Sequence, residues 1–251
     1  MKTYWTIIYK ESAQALRSQR GLFFLLAFSG LLSAFSLLLV SNRELSLLDN
    51  AQVVYMMDGV VLAAGALLAA ILGSDAYAGE KERGTLVSLL FAPIAPNTLL
   101  AGKALGLLFS WGVMFTVSIP YMWAVGASGQ NLGAAVLYLA LFGTPVVLGF
   151  GYLAMALSAH TGSVLSSLLS TVTLLMLAAS PLVIGPGLRG TTIGRALDAI
   201  NPFAGALNTF DSVIIDSEPF SAQVGRLLLV VIWLGLCLLA ARRSAAHPHF
   251  Q

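Results

Sequence analysis

The chain has little charge and almost no cysteine. Only 10% of its residues are Asp, Glu, Lys or Arg, whereas 58% are hydrophobic and the mean hydropathy is +0.87. These fractions lie far outside those of soluble domains. Its single cysteine, Cys237, excludes a disulfide framework or a cysteine metal site within one chain. The net charge of +2 gives no reason to expect nucleic acid as a partner. The composition therefore predicts an integral membrane protein.

The sequence also lacks the motifs of several common chemistries. Its only Gly-Lys pair is followed by Ala104 and has Asn97 where the first glycine of a phosphate-binding loop belongs. No Gly-x-Ser-x-Gly elbow occurs, and the three histidines are too scattered to indicate a metal site. We therefore expect a non-catalytic chain that binds no cofactor or metal of its own.

Six apolar runs are long enough to cross a bilayer. A hydrocarbon core of about 30 Å needs about 20 apolar residues in a helix. The runs lack the two-residue alternation of barrel strands, and the first run lacks a signal-peptide cleavage site. We therefore predict an all-α integral membrane protein with a single transmembrane domain over residues 1–251. The predicted transmembrane helices are 21–40, 53–78, 104–127, 134–158, 164–188 and about 224–241.

The cations divide unevenly between the two sides of this topology. One side holds nine of them: Lys2, Lys10, Arg17, Arg20, Lys81, Arg83, Lys103, Arg242 and Arg243. The other side holds four: Arg43, Arg189, Arg195 and Arg226. Cytoplasmic loops carry the excess of Lys and Arg. Both termini and the loop 79–96 are therefore predicted to be cytoplasmic, in the cytoplasmic (inner) membrane, and the segment 189–223 to be extracytoplasmic.

Residues 2–20 predict a basic amphipathic helix that lies flat at the membrane surface. At 100° per residue, aromatic and apolar side chains share one side and the basic side chains share the other. The apolar side holds Tyr4, Trp5, Ile8, Tyr9, Ala15 and Leu16. Such helices bind near anionic lipid headgroups. The alternative is a juxtamembrane stretch that obeys the positive-inside rule without a further role.

Charge interrupts the apolar pattern most strongly in the stretch 79–103. The second span is expected to leave the hydrocarbon near Gly79 because the charged residues 80–83 follow it. Gly84 then offers a bend, and Thr85 is the expected N-cap of a new short helix. The apolar edge of that helix is formed by Leu86, Leu89 and Leu90.

This short helix needs a docking site because about two turns of helix are not stable alone. The candidate sites are its own bundle and the groove of a cytoplasmic partner. The helix is expected to end before Pro93, and Pro93 and Pro96 are expected to give an extended lead back to Lys103 at the membrane boundary. A solvated loop with a hydrophobic turn under the bundle is the alternative.

The same residues resemble the signature of ABC-2-type permeases. That signature reads as an acidic pair, Gly-Thr-Leu, Leu-Leu, Pro-Ile and a later Gly-Lys. The matching residues here are Glu80-Lys81-Glu82-Arg83-Gly84-Thr85-Leu86, Leu89-Leu90, Pro93-Ile94 and Gly102-Lys103. The six-span layout, the amphipathic opening and the long outer segment also fit the family. The chain is similar to its small permeases of nitrous-oxide-reductase maturation and gliding motility.

The resemblance implies a type V exporter-like fold and a permease subunit that exports or flips a substrate. It implies a separate ABC ATPase in two copies that binds ATP and Mg, and a second permease copy in a homodimer or a pair of related permeases. Membrane lipid and a periplasmic or extracellular client protein are further expected partners. Residues 85–92 would be the coupling helix, with residues 2–20 beside it. The ATPase-coupling residues would be Glu80, Glu82, Arg83, Gly84, Thr85, Leu86, Leu89, Leu90 and Pro93.

A second candidate site is predicted at the extracytoplasmic mouth. Prolines and glycines at 181–187 are expected to kink or break the fifth helix. The following apolar segment, 199–210, is too short to cross the membrane, which indicates a re-entrant or surface-lying cap. The resemblance implies an external gate there, and an ordinary structured loop is the alternative. The predicted gate residues are Pro181, Pro186, Asn201, Pro202 and Phe203.

Two other function classes remain open, a membrane anchor or scaffold without transport and a secondary carrier. A carrier usually places ionisable groups near the bilayer middle, but Asp58 and Asp75 lie towards the ends of their span. Asp58 is expected to be a satisfied boundary carboxylate or to line an outer cavity. The repeat Gly65, Ala69, Gly73 predicts close helix packing, either inside one bundle or at a moving contact.

Overall fold

A computed structural model describes residues 19–41, 50–86, 95–126, 132–183 and 191–246. Within these ranges the chain is helical apart from short turns, and no strand occurs. The predicted all-α class is therefore confirmed. The predicted interfacial helix lies outside the described residues except for its last two positions, and so do Leu89, Leu90, Pro93 and Pro186.

The helices are numbered here in chain order. They are α1 Gln19–Ser41, α2 Asn50–Asp75, α3 Ala78–Glu82, α4 Pro96–Gly126, α5 Leu132–Tyr138, α6 Thr144–His160, α7 Val164–Val183, α8 Thr192–Ile200, α9 Pro202–Phe210 and α10 Phe220–Ala246. Two π-helical turns interrupt this series. The first, Leu139–Gly143, joins α5 to α6, and the second, Asp211–Ile215, follows α9.

Five stretches of the described chain are long and apolar enough to cross a membrane. They are Leu22–Leu39, Ala51–Glu82, Pro96–Val125, Leu132–His160 and Phe220–Ala246. A shorter apolar stretch, Val164–Ser180, forms most of α7, whose full length of 20 residues corresponds to about 30 Å. The chain is thus a multi-pass membrane protein, and the six crossings remain a prediction.

Hydrogen bonds identify the two ends of the helix bundle. At the loop end, which contains residues 76–86, the Val164 amide that begins α7 donates to Glu82, and His160 of α6 bonds to Ser244 near the end of α10. At the cap end, which contains residues 191–219, Asn201 donates to the Ala178 carbonyl near the other terminus of α7. Helix α7 therefore runs the full distance between the two ends.

Close packing of α2 against α6 forms the centre of the bundle. A Cβ added at Gly73 would lie 2.6 Å from both the Ala154 Cβ and the Gly151 carbonyl oxygen. A Cβ added at Gly65 would overlap the Trp111 ring of α4. Small residues on α2 thus let neighbouring backbones and rings approach. The prediction that the Gly65 repeat packs inside one bundle is confirmed.

One proline expectation differs from the structure. The extended lead from Pro96 to Lys103 is wrong, because Pro96 is the first residue of α4 and Lys103 lies inside that helix. Proline suits the first helical position, where no intrahelical partner exists for its missing N–H. Pro181 is part of α7, and the kink or break predicted at 181–187 lies mostly outside the described residues.

The π-helical turn Leu139–Gly143 was not anticipated from the sequence. It ends two residues before Pro145, which has no N–H to donate to a preceding carbonyl. A wider turn at this point moves the preceding carbonyls away from the proline ring, which would otherwise clash with them. The fourth apolar run therefore consists of two helices, α5 and α6, joined by this turn within one candidate span.

We predict opposite labelling of the two ends in intact cells. A cysteine at exposed Asn97 or Ala246, both at the loop end, should be shielded from an impermeant thiol reagent, whereas one at exposed Asp216 should react. The parent chain is the control, because its Cys237 is buried at 3% exposure and should stay unlabelled. Labelling of Asn97→Cys from outside would contradict the predicted orientation.

Candidate functional site

The break between α2 and α3 is held by one serine of α6. The Ser158 hydroxyl accepts hydrogen bonds from the amides of Tyr77 (3.0 Å) and Ala78 (2.7 Å) and donates to the carbonyl of Ser74 (2.7 Å). All four residues are buried. A helix that stops inside a bundle leaves backbone groups without intrahelical partners. Ser158 supplies those partners and so permits α2 to turn at this depth.

Adjacent charges on α3 hold the turn between α6 and α7. The Lys81 ammonium donates to the carbonyls of Ala159 (2.7 Å) and Thr161 (2.9 Å), at the carboxyl end of α6. The neighbouring Glu82 carboxylate accepts from the Val164 amide (2.8 Å), at the amino end of α7. Helix carboxyl ends favour cations and amino ends favour anions. Lys81 and Glu82 therefore match the two helix ends that meet there.

The outer two charges of the same tetrapeptide reach two further helices. Glu80 lies 4.0 Å from the Lys103 ammonium of α4, and both side chains are largely buried. Arg83 pairs with Asp75 at the end of α2 at 3.1 Å, with side-chain exposures of 43% and 38%. An ion pair as exposed as the second contributes only about 0–1 kcal/mol. Residues 80–83 thus contact α4, α6, α7 and α2 in turn.

The backbone after this tetrapeptide turns back on itself. Gly84 adopts a left-handed conformation with φ of 68°, which suits glycine because it has no Cβ. The Thr85 amide donates to the Glu80 carbonyl at 2.9 Å, and the Thr85 hydroxyl donates to both the Glu80 carbonyl and its carboxylate. Leu86 then enters the hydrophobic core at 3% exposure. The start of the predicted coupling helix is therefore anchored to the bundle.

Comparison with protein families identifies the family of the chain. The family of ABC-2 transporter proteins matches residues 5–243. The chain belongs to that family. Comparison with curated proteins gives no match. An ABC-2 family protein of this kind is a membrane permease component of an ABC transporter, and the family in general works with an ABC ATPase partner.

The structure brings together the first six of the predicted ATPase-coupling residues of this ABC-2 permease. Glu80, Glu82 and Arg83 bind neighbouring helices, while Gly84, Thr85 and Leu86 fix the turn that follows. Sequence reasoning missed Ser158, because nothing in the sequence distinguishes it from the other helix serines. It also missed the capping role of Lys81. The signal in the sequence was the adjacent pair of opposite charges, Lys81 and Glu82, which can match the end of one helix and the start of the next.

The predicted gate region of the permease contains a short helix buried in the bundle. In α9 every residue except Asn208 is buried, so this segment is inserted among the longer helices rather than lying on the surface. Asn201 caps its amino end by accepting from the amides of Phe203 (3.0 Å) and Ala204 (3.3 Å). The Asn201 amide group also donates to Ala178 of α7. Asn201 therefore fixes α9 to α7.

Of the other predicted gate residues, Pro202 and Phe203 are buried within the subunit, and Pro181 is part of α7. Arg226, which sequence reasoning used only as a topology marker, joins α10 to this region. One of its terminal nitrogens donates to the Asn208 carbonyl (3.1 Å), the Ser212 hydroxyl (3.0 Å) and Gln223 (2.6 Å).

We predict that Ser158→Ala destabilises the permease. The change leaves two buried amides and one carbonyl without their partner, at a cost of about 1–3 kcal/mol. The matched control is Ser170→Ala on the exposed face of α7, where the hydroxyl donates to the Ser166 carbonyl of its own helix. Thermal unfolding in detergent should separate the two variants. Equal unfolding temperatures would contradict the role given to Ser158.

We also predict that exchanging the charges of Lys81 and Glu82 destabilises the permease. Lys81→Glu combined with Glu82→Lys keeps the net charge but places a carboxylate at the end of α6 and an ammonium at the start of α7. The expected loss is about 1–3 kcal/mol of unfolding free energy.

The control for this exchange is Asp75→Arg combined with Arg83→Asp, which preserves an exposed pair at the same end of the bundle. This control should shift stability by less than about 1 kcal/mol. The same unfolding measurement serves both double variants. A loss in the control equal to that of the capping exchange would show that helix-end matching is not the cause.

Proposed function

We propose that the chain is the transmembrane permease subunit of an ATP-driven exporter or flippase, and that the segment 79–96 receives force from a cytoplasmic ABC ATPase. The observation that carries this proposal is the contact of residues 80–83 with α4, α6, α7 and α2. A displacement applied just after these residues reaches four helices at once. A loop that only connected two spans would need no such contacts.

The distribution of cations supports a cytoplasmic loop end. Lys81, Arg83 and Lys103 lie there with Arg242 and Arg243 at the end of α10, whereas Arg226 lies at the cap end. By the positive-inside rule, the loop end would lie on the cytoplasmic side of the inner membrane. The ATPase would meet the permease on that side.

The division of labour within residues 80–92 follows from burial. Leu86 is part of the core, so it acts as an anchor rather than as a contact for the partner. Leu89 and Leu90 continue the same apolar edge and are proposed to enter the ATPase cleft. Gly84 allows the turn between the anchored charges and this coupling helix.

Transport would require two copies of the permease and two copies of the ATPase, with ATP and Mg bound by the ATPase. Large apolar side chains are exposed on α1, α7 and α10, which supports contact with lipid and with a second permease copy. The cap end, with Asn201, Pro202 and Phe203, is proposed as the external gate. A periplasmic or extracellular client protein would meet the permease there.

We predict that Leu89→Asp separates the permease from its ATPase. Inserting a carboxylate into an apolar cleft costs several kcal/mol unless the helix withdraws. The variant should insert in the membrane but release the ATPase or uncouple its turnover. Gly84→Pro should act similarly, because proline cannot adopt the positive φ of Gly84. The measurement is co-purification of the ATPase together with transport-linked ATP hydrolysis.

Asn97→Asp is the control, because it adds the same charge at an exposed position of the loop end. It should retain both the partner and the coupling. If Leu89→Asp also retains both, the short helix is not the coupling site. The parent chain could instead bind the ATPase without any substrate-dependent ATP hydrolysis. That result would favour the membrane scaffold.

A further inference from the structure

One carboxyl group on a membrane-spanning helix of the permease is fully enclosed by the helix bundle. Asp58, in the third turn of α2, is 0% exposed. Neither of its carboxylate oxygens has a hydrogen-bond partner among the residues that the structure describes. The expectation of a satisfied boundary carboxylate is therefore wrong. The residues around it on α2 are apolar and buried: Val54, Met57, Val61 and Leu62.

An isolated charge at this position would be very unfavourable. The effective cost of burying a lone ion in a protein is several kcal/mol, and an enclosed carboxyl avoids it by taking up a proton. A metal ion would need several oxygen ligands. Among the described residues no group of three or more His, Cys, Asp or Glu side chains is placed to hold a metal. The described surroundings of Asp58 therefore favour a proton over a metal ion.

The elements packed against α2 bring no cation to the outer half of that helix. Helices α7 and α9 carry no titratable side chain in their described positions, and α5 carries only Tyr138, which stacks on Phe142. The turn Asp211–Ile215 carries exposed Asp211. The remaining titratable groups on these elements and on α2 are Tyr55, Asp75, Glu80, Lys81, Glu82, Lys103, Tyr121, Tyr152 and His160.

Of these groups, Tyr121 is engaged by Ser29 and Ser33, and the charged ones lie at or near the loop end. Tyr55 has a partner of its own, and Asp58 is not bonded to it. No described neighbour therefore neutralises an ionised Asp58.

Cap-end elements enclose this part of α2. The Gly59 backbone lies against Leu207 of α9, since a Cβ at Gly59 would be 3.4 Å from the Leu207 Cδ2. The turn that follows α9 packs on α2 and buries Val213 and Ile214. The Gly59–Leu207 contact and the buried side chains of Val213 and Ile214 are apolar. Separating α9 and this turn from α2 would admit water to Asp58 without breaking a hydrogen bond to it.

We propose that Asp58 is a proton-binding site, neutral while α9 and the turn Asp211–Ile215 cover α2 and ionised when they separate from it. Proton occupancy then favours the closed cap end, and release of the proton favours the open one. The proton site itself stands on the enclosure of Asp58. Its link to opening rests on the gate in the proposed function.

Infrared spectroscopy of the full-length permease in lipid nanodiscs tests the proton site without any transport assay. At pH 7 the parent protein should show the carbonyl band of a neutral carboxylic acid, sensitive to ²H₂O. Asp58→Asn should lose that band, and exposed Asp216→Asn should keep it. Carboxylate intensity that falls in Asp58→Asn, with no change in the neutral-acid region, would overturn the proposal.

Labelling all aspartates with ¹³C in the unmutated protein keeps this test independent of how the Asn variant folds. The neutral-acid band should then shift to lower frequency. A parent protein with no such band at pH 7 would show an ionised Asp58. Both results are independent of ATPase binding, so they distinguish failure of the proton site from failure of the proposed function.

The link to opening is tested by thiol accessibility of α9. Gly205→Cys places a cysteine in the buried helix, with its Cβ in van der Waals contact with Leu229. Ala246→Cys gives an exposed reference for thiolate formation. The labelling rate of Gly205→Cys divided by that of Ala246→Cys should rise with pH. The rise should be up to about tenfold per pH unit where opening releases one proton. Asp58→Asn should abolish the rise. An equal rise in that variant, or no rise in the parent, would overturn the link.

Discussion

The turn between α6 and α7 is held by two neighbouring side chains of opposite charge, and the arrangement of the loop end depends on them. Lys81 binds the carbonyls that end α6, and Glu82 binds the amide that begins α7. A helix end and a helix start expose opposite partial charges. Two consecutive residues satisfy both only if the end and the start lie side by side. The pair thus fixes where α3 sits, and α3 in turn places Glu80 towards α4 and Arg83 towards α2.

A membrane removes the main force that packs helices together in water. Apolar side chains gain little by leaving lipid for a helix neighbour, so packing and polar contacts hold the bundle together. Backbone groups without partners are also costly where water is scarce. The close approach of α2 and α6 at Gly73 supplies packing, and Ser158 supplies partners where α2 turns. The loop end combines both kinds of contact around residues 76–86.

The sequence predicted the features that depend on local composition. Hydropathy gave the helical membrane class, and each predicted span lies within or close to a helix, including α2 Asn50–Asp75. Charge also located the segment 79–86 at an end of the bundle. The roles of its side chains were not predictable, because a partner such as the end of α6 is distant in sequence. Ser158 and the burial of Leu86 depend on the same long-range packing.

The cap end also shows that local sequence does not predict long-range packing. Composition indicated a segment at 199–210 too short to cross, but only the packing of α7 and α10 around it decides that α9 is buried. Asp58 was expected to find a partner near the membrane boundary, since most buried polar groups do. Its enclosure arises from α9 and the turn after it, neither of which is visible from α2 alone.

The two ends therefore respond differently to a displacement. At the loop end, charged and hydroxyl groups hold α2, α4, α6 and α7 to one segment, so separating them breaks several hydrogen bonds. At the cap end, α9 is bonded to α7 through Asn201 but meets α2 through the apolar contact of Leu207 with Gly59. A force that enters beside Leu86 meets the stiffer end first. On the proposed function, relative movement is then expected at the surface of α9 that covers α2, next to the buried carboxyl of Asp58.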